Sequence, residues 1–143
     1  MKLSFSTKGW HNSTFEDFCD VAESMRFGGI ELHNIGNKLF TDKNGAFHDY
    51  SAASTLRLLY EKKLTIPCID TICDVSCEDE HESAFEEVSR CFEIAEFLHI
   101  PHIRLKARSE GEAAVDVTKK LISRVLERAE ETGIILLLET AGA

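Results

Sequence analysis

Short apolar runs with the character of β-strands alternate along the whole sequence with longer segments that have the hydrophobic period of a helix. Neighbouring runs begin roughly 30 residues apart, which is the length of one strand–helix unit. The sequence therefore predicts an α/β fold of parallel strands joined by right-handed helical crossovers. The predicted strands are Lys2–Ser6, Gly29–His33, Thr65–Asp70, His102–Lys106 and Ile134–Glu139.

Four amphipathic helices are predicted between these strands. The first follows a capping box formed by Ser13 and Glu16. The second is predicted at Ala52–Lys63, the third ends before Pro101, and the fourth ends at Gly133. The residues expected to face the core are, helix by helix, Phe15, Phe18, Cys19, Ala22 and Met25; Leu56, Leu59 and Tyr60; Phe85, Val88, Cys91, Phe92, Ala95 and Leu98; and Ala114, Val117, Leu121, Val125 and Ala129.

The polar residues of the strands decide between an open doubly wound sheet and a closed barrel. Parallel strands buried on both faces are usually continuous apolar runs, but here alternate positions are polar, and a buried unpaired charge costs several kcal/mol. A barrel mouth supplies a wet or ligand-lined environment for such groups, and no glycine-rich phosphate turn follows the first strand. The prediction is a partial (β/α)8 TIM barrel, comprising the first five strands and four helices. The polar positions are Ser4, Ser6, Glu31, His33, Cys68, Asp70, Arg104, Lys106 and Glu139.

The composition restricts the classes of partner. Lys and Arg number 16 against 25 Asp and Glu, so the net charge is −9, and the average surface repels phosphate backbones and anionic lipid headgroups. No run approaches the roughly 20 apolar residues of a membrane span, and the first residues become polar too early for a signal peptide. We therefore expect a cytoplasmic protein that binds neither nucleic acid nor membrane. The five cysteines are expected to be reduced thiols.

Several motifs occur in order at the spacing of strand–helix units. They are Gly9-Trp10, Phe27-Gly28-Gly29-Ile30-Glu31-Leu32-His33, Ile103-Arg104-Leu105 and Ile135-Leu136-Leu137-Leu138-Glu139-Thr140. In these motifs the chain resembles the xylose-isomerase-like TIM barrels, which include sugar phosphate isomerases/epimerases, ketose 3-epimerases, inosose dehydratases and metal-dependent AP endonucleases. The resemblance implies that residues 1–143 are one incomplete barrel domain with strands one to five, and that strands six to eight are absent.

The resemblance also implies a divalent metal, Mn²⁺, Mg²⁺ or Zn²⁺, held by carboxylates and a histidine from strands five to eight of the full-length family member. Glu139 matches the strand-five ligand, whose carboxylate would hold a metal that polarises the substrate. In family epimerases this residue also removes the proton beside a carbonyl. The implied function is metal-dependent enolisation of a small sugar or polyol, whereas the simpler alternative for Glu139 is a solvated carboxylate. The other metal ligands would come from strands that this chain lacks. The chain would therefore supply one metal ligand and no complete metal site.

Other residues near the strand ends are candidates for contact with the substrate. His33 and Glu31 lie two apart on one predicted strand and therefore face the same way, and the alternative is a hydrogen-bonded pair that shapes the interior. Asp70 ends the third predicted strand. Trp10, with His11, would cover one face of a sugar ring, or Trp10 would simply pack against the core.

Arg104 and Lys106 also share one face of a predicted strand. They are candidates for binding a phosphate, carboxylate or hydroxyl group of the substrate. A structural ion pair between Arg104 and either Glu31 or Glu139 is an equal alternative.

Cys73, Cys77 and His81 recur every four residues after the third predicted strand. On a helix this spacing would place three zinc ligands on one side. No fourth ligand follows at a usual interval, and cysteine also packs well as a small apolar residue. Packing is therefore the favoured interpretation.

Two other functions remain open at this stage. In the second hypothesis, the chain is a non-catalytic or truncated partial barrel that acts as a binding or oligomerisation module. The unpaired edges of its first and last strands would then favour formation of a homo-oligomer. A nuclease of the AP endonuclease type is the third hypothesis, and the net charge of −9 disfavours it.

Overall fold

The computed structural model describes residues 2–10, 12–36, 40, 42–43, 45–48, 50–108 and 111–140, so the predicted role of His11 falls outside the described residues. Within these described ranges, five parallel strands and four helices alternate, which confirms the α/β fold. Among the described residues, no helix combines the length and the apolar character needed to cross a bilayer. The elements are β1 (Ser4–Ser6), α1 (Phe15–Ser24), β2 (Gly29–His33), α2 (Ala52–Glu61), β3 (Ile69–Asp74), α3 (His81–Leu98), β4 (His102–Ala107), α4 (Glu112–Thr132) and β5 (Ile135–Thr140).

The chain divides into two compact units, the first ending at Ile69 and the second beginning with the next residue. In the first unit β1 pairs in parallel with β2, with Ser6 opposite Glu31. Ile30 and Leu32 of β2 are fully buried, whereas Glu31 and His33 are partly exposed. Gly29 is required by a close approach, because a Cβ atom there would lie 2.8 Å from the carbonyl oxygen of Thr65.

In the second unit β4 pairs in parallel with β5, and the helices α3 and α4 pack against each other. The guanidinium of Arg124 on α4 lies 3.7 Å from the centre of the Phe85 ring on α3 and also binds Glu82. Ile103 and Leu105 of β4 are fully buried. All five predicted core residues of α4 are buried, and the helix is followed by a left-handed Gly133.

The third strand was predicted too early in the sequence. It runs over Ile69–Asp74 instead of Thr65–Asp70, because Pro67 has no N–H to donate to a strand ladder. The amides of Ile30 and Leu32 donate to the carbonyls of Thr65 and Cys68 respectively. A step of two residues along β2 therefore corresponds to a step of three residues in the segment before β3, as in a bulge.

The helix ends and faces also differ in places from the prediction. The capping box of α1 is formed by Thr14 and Asp17 instead of Ser13 and Glu16. Met25 and Tyr60 were predicted to be buried, yet they are 62% and 85% exposed. Met25 follows the last turn of α1, where the backbone leaves the helix and the period no longer applies.

Candidate functional site

Four of the predicted site residues are brought together in the second unit. Arg104 and Lys106 lie on one side of β4, Asp70 lies on β3, and Glu139 lies on β5 as the register partner of Lys106. Because residues two apart on a strand point the same way, β4 directs both of its cations towards this cluster. These residues, Asp70, Arg104, Lys106 and Glu139, are called the charged cluster below.

The inner part of the charged cluster is a buried ion pair. The Nζ of Lys106 lies 3.0 Å from Oδ1 of Asp70 and 3.3 Å from Oδ2, and the two side chains are only 6% and 3% exposed. A lone buried charge is far more costly than a paired one. Each residue of the pair therefore makes burial of the other tolerable, and neither side chain offers much surface to a ligand.

The outer part of the charged cluster is more accessible. The Nη1 of Arg104 is 3.8 Å from Oδ1 of Asp70, and its Nε is 3.9 Å from Oε2 of Glu139. The side chains of Arg104 and Glu139 are 28% and 54% exposed. Glu139, which was predicted as an ion-pair partner of Arg104, lies at ion-pair distance from it. This pair leaves a cation and a carboxylate side by side at a surface that solvent reaches.

Hydrogen bonds to two backbone carbonyls of β4 hold it against β3 and the residue after β3, beneath the charged cluster. The hydroxyl of Thr71 donates to the carbonyl of Arg104 at 2.8 Å, and the amide of Val75 donates to the carbonyl of Lys106 at 2.8 Å. Both carbonyls belong to the cationic residues of the cluster. The spacing between the two strands is therefore set at the positions that carry the charges.

A second polar group at the ends of β3 and β4 was missed by sequence reasoning. Oδ1 of Asp74 accepts hydrogen bonds from the amide of Ser76 at 3.0 Å and from the amide of Arg108 at 3.1 Å. The Ser76 hydroxyl donates to the same carboxylate oxygen. An Asp followed two residues later by Ser is the sequence signal of such a turn. The carboxylate ties the two strand ends together and has a structural role.

The other three predicted site residues belong to the first unit. Glu31 and His33 share one side of β2, and both are partly buried. The amide of His33 donates to the hydroxyl of Thr7 at 2.9 Å. Trp10 packs against the rings of Phe5 and Phe18, with centroids 5.8 and 6.1 Å away, while 43% of it stays exposed. Packing is therefore established for Trp10, and its exposed face stays a candidate for contact with a sugar.

The described residues do not form a metal site by themselves. Within the described ranges, no three side chains of His, Cys, Asp or Glu are grouped closely enough to hold an ion. The charged group nearest to Glu139 in the charged cluster is the guanidinium of Arg104, which repels a metal cation. Burial raises the pKa of the Cys73 thiol to about 11, which agrees with a cysteine that packs as a small apolar residue.

Comparisons with solved structures show which fold this chain shares. No family model and no curated protein matches the sequence. Among solved structures, the probable 3-DHS dehydratase AsbF from Bacillus anthracis is 21% identical, with a TM-score of 0.76 over 96% of this chain and 52% of its own. The 3-keto-D-glucoside 4-epimerase YcjR from E. coli is 13% identical, with a TM-score of 0.74 over 96% of this chain and 55% of its own.

A third structure, the IOLI protein with a bound zinc atom, is 17% identical, with a TM-score of 0.72 over 99% of this chain and 52% of its own. Xylose isomerase domain proteins, a sugar phosphate isomerase/epimerase and a family 2 AP endonuclease also match. The chain shares its fold with the xylose-isomerase-like TIM barrels. It spans about half the length of these solved chains, as expected for a partial barrel.

Proposed function

We propose that residues 1–143 are part of an incomplete TIM-barrel domain whose whole protein enolises a small sugar or polyol, as an isomerase, epimerase or dehydratase. The observation that carries the proposal is the charged cluster, which three strands of this fold build from one buried and one accessible ion pair. Solved proteins of the same fold are described as sugar phosphate isomerases/epimerases, a 4-epimerase and a dehydratase. Barrel enzymes carry their chemistry at the carboxyl ends of the strands.

The roles proposed for the accessible pair follow from its chemistry. The carboxylate of Glu139 would take the proton from the carbon next to a substrate carbonyl, which leaves an enediolate. The guanidinium of Arg104 would donate hydrogen bonds to the oxygen on which the negative charge develops. Return of the proton to the neighbouring carbon gives an isomer, and return to the other face of the same carbon gives an epimer.

The remaining candidates have supporting roles in this proposal. The carboxylate of Asp70 would hold Arg104 in place, and Lys106 would offset the buried charge of Asp70. His33, Glu31 and Trp10 would bind the hydroxyl groups and the apolar face of the sugar. We keep them as proposals for substrate contact, with Trp10 exposing part of its ring for this purpose.

The expected divalent metal would need ligands beyond the described residues, because this chain offers Glu139 as its single matching donor. No step of the proposed chemistry is therefore assigned to a metal. We propose that a longer polypeptide with the remaining strands gains thermal stability with Mn²⁺ and that Glu139→Gln removes this gain. An equal response of both proteins, or of neither, would reject the role of Glu139 as a ligand.

The experiment that tests the enolisation is exchange of carbon-bound hydrogen. A longer polypeptide that includes the remaining strands is incubated in D₂O with a panel of ketoses and keto-polyols, and deuterium next to the carbonyl is followed by NMR. We expect exchange with at least one substrate and its loss by about 100-fold or more in Glu139→Gln. Glu127→Gln, which changes an exposed carboxyl on α4, is the matched control. Exchange that survives Glu139→Gln would reject Glu139 as the base.

A second candidate function is a non-catalytic binding or oligomerisation module. The exposure of three apolar residues on β5, Ile135, Leu137 and Leu138, favours it. Sedimentation over a range of concentrations distinguishes the two, because a module of this kind should associate while remaining inactive in the exchange assay. For the nuclease hypothesis, lack of binding to abasic DNA at low salt is the expected result at a net charge of −9.

A further inference from the structure

A groove of about 900 Å³ lies in the first unit, between the first turn of α1 and the helix α2. Phe15 and Glu16 line it from α1, and Ala53, Arg57 and Leu58 line it from α2. Each of these helices connects one strand to the next along the chain, so both walls of the groove are internal elements of the fold.

Two tyrosine rings project into solvent beside this groove. Tyr50 lines it and is 84% exposed, and Tyr60 is 85% exposed. The ring of His48 stacks on that of Tyr50 at 5.1 Å and holds it in one orientation. Tyr60 comes three residues after Arg57 and seven after Ala53, so it shares their side of α2. The helix therefore carries a projecting ring next to a groove, and these are complementary shapes on one surface.

The charges of the groove are complementary to one another. The Nε of Arg57 donates to Oε1 of Glu61 at 2.8 Å, and the two side chains are 79% and 57% exposed. Glu61 and Glu16 are both lining residues. A guanidinium has five N–H groups, and this ion pair uses one of them. A surface with one cation and two carboxylates fits a second surface of the same kind, when the cation of each faces the carboxylates of the other.

The distribution of net charge favours association through the first unit. Met1–Ile69 contains 8 Lys and Arg against 8 Asp and Glu, whereas Asp70–Ala143 contains 8 against 17. The whole net charge of −9 is therefore carried by the second unit. Two copies that met through surfaces of the second unit would repel each other, and the first unit lacks this net repulsion.

We infer that the groove and the exposed side of α2 form a twofold interface between two copies of this chain. The same surface serves both partners in such a contact, so Tyr60 of each copy packs against the groove of the other, and Arg57 of each copy meets Glu16 and Glu61 of the other. Tyrosine and arginine are the residue types enriched at interface centres. The interface involves neither β5 nor the charged cluster, so it is independent of the proposed enolisation.

The size of the contact predicts its strength. Four tyrosine rings, two from each copy, would bury on the order of 600–1,000 Å² in all, because one such ring buries roughly 150–250 Å² when it packs. This area is at the lower end of the range for specific interfaces. The dimer should therefore be weak and should dissociate on dilution.

Sedimentation velocity of the chain from about 1 μM to about 1 mM tests the interface, because this range covers weak dimers. We expect a monomer–dimer equilibrium whose dissociation constant rises at least about tenfold in Tyr60→Ser, since a large contact ring is lost. Thermal unfolding by circular dichroism checks that the variant is folded. A monomer at every concentration would overturn the inference, as would a dimer that Tyr60→Ser leaves unchanged.

Charge reversal gives a sharper test, because it predicts a rescue. Arg57→Glu leaves only carboxylates among the charged residues of the groove, and Glu16→Lys/Glu61→Lys leaves only cations. Each variant alone should dimerise at least about tenfold more weakly, whereas an equimolar mixture should form a heterodimer, since opposite charges then meet again. Failure of the mixture to associate would overturn the inference.

Two further variants show whether the effect belongs to this surface. Lys119→Glu is the matched control for charge, because Lys119 forms an exposed ion pair with Asp116 on α4 and its reversal changes the net charge as Arg57→Glu does. We expect it to leave the dissociation constant unchanged, and an equal weakening would contradict the proposed interface. A dimer that resists Arg57→Glu and is lost in Leu138→Lys would place the contact at β5 and would also overturn the inference.

Discussion

The two ion pairs that involve β4 have the same chemistry and opposite surroundings. Lys106 and Asp70 lie 3.0 Å apart and are almost completely buried, whereas Arg104 and Glu139 lie 3.9 Å apart and are partly exposed. The first pair has to stay intact for the fold to tolerate its charges. The second pair contributes little to stability, because solvent screens it, and this exposure is what its proposed role in binding and proton transfer requires. Burial thus separates the structural role of the first pair from the chemical role proposed for the second.

The largest effect should come from breaking the buried pair. Lys106→Met leaves the Asp70 carboxylate buried without its closest cation, and we expect a loss of about 3–5 kcal/mol in the free energy of unfolding, measured by urea denaturation. The double variant Lys106→Met/Asp70→Leu is the control and should recover most of that loss, since no unpaired charge remains. A loss below about 1 kcal/mol in the single variant would show that solvent reaches this pair and would remove the contrast.

A smaller effect is expected for the accessible pair. In a double-mutant cycle with Arg104→Met and Glu139→Gln, the coupling energy should be below about 1 kcal/mol, because both side chains are partly exposed. Raising the salt concentration should weaken this coupling, while the stability contributed by Lys106 and Asp70 should hardly respond. A coupling as large as that of the buried pair would mean that both pairs serve the fold.

The smallest effect should come from an ion pair that is mostly exposed. A hydrogen bond from Arg124 lowers the pKa of Glu82 in the folded protein. The ion pair of Glu82 therefore stabilises the fold at pH values above the pKa of this carboxyl in the unfolded chain. This stabilisation is lost as the pH falls through the lower pKa of the carboxyl in the folded protein. In Glu82→Gln the free energy of unfolding should fall less steeply at acid pH, as measured by urea titrations at a series of pH values. The control is Glu127→Gln on α4, and an equal flattening there would contradict the assignment.

The reactivity of cysteine provides an independent check on burial in the two units. Burial raises the pKa of Cys19 in the first unit to about 12 and that of Cys73 in the second to about 11. Both thiols should therefore react slowly with a disulfide reagent at pH 8, whereas the less buried Cys77 should react first. Measurement of the order of labelling by mass spectrometry tests this. Early labelling of Cys19 would indicate that the first unit opens locally.

Much of the fold was predictable because the hydrophobic period is a local property. The helix faces of α3 and α4 and the ends before Pro101 and at Gly133 were predicted from periodicity and from local stop signals. The third strand was misplaced because the missing N–H of Pro67 matters only where a neighbouring strand would accept a hydrogen bond from it. The pairing of strands is not visible in the local sequence. Met25 and Tyr60 were assigned to the core because they continue the hydrophobic period of their helices. At these positions the helix no longer packs against the core, and both side chains are exposed.

For the site, the sequence alone determined that β4 points two cations to one side and that a carboxylate lies near the end of β5, because alternation along a strand is local. Only the tertiary structure decided which partner each cation takes. It paired Lys106 with Asp70 in the interior and left Arg104 beside Glu139 at the surface. Burial and distance depend on residues that are far apart in sequence, so the division of the four charges into a structural and an accessible pair emerges when the strands come together.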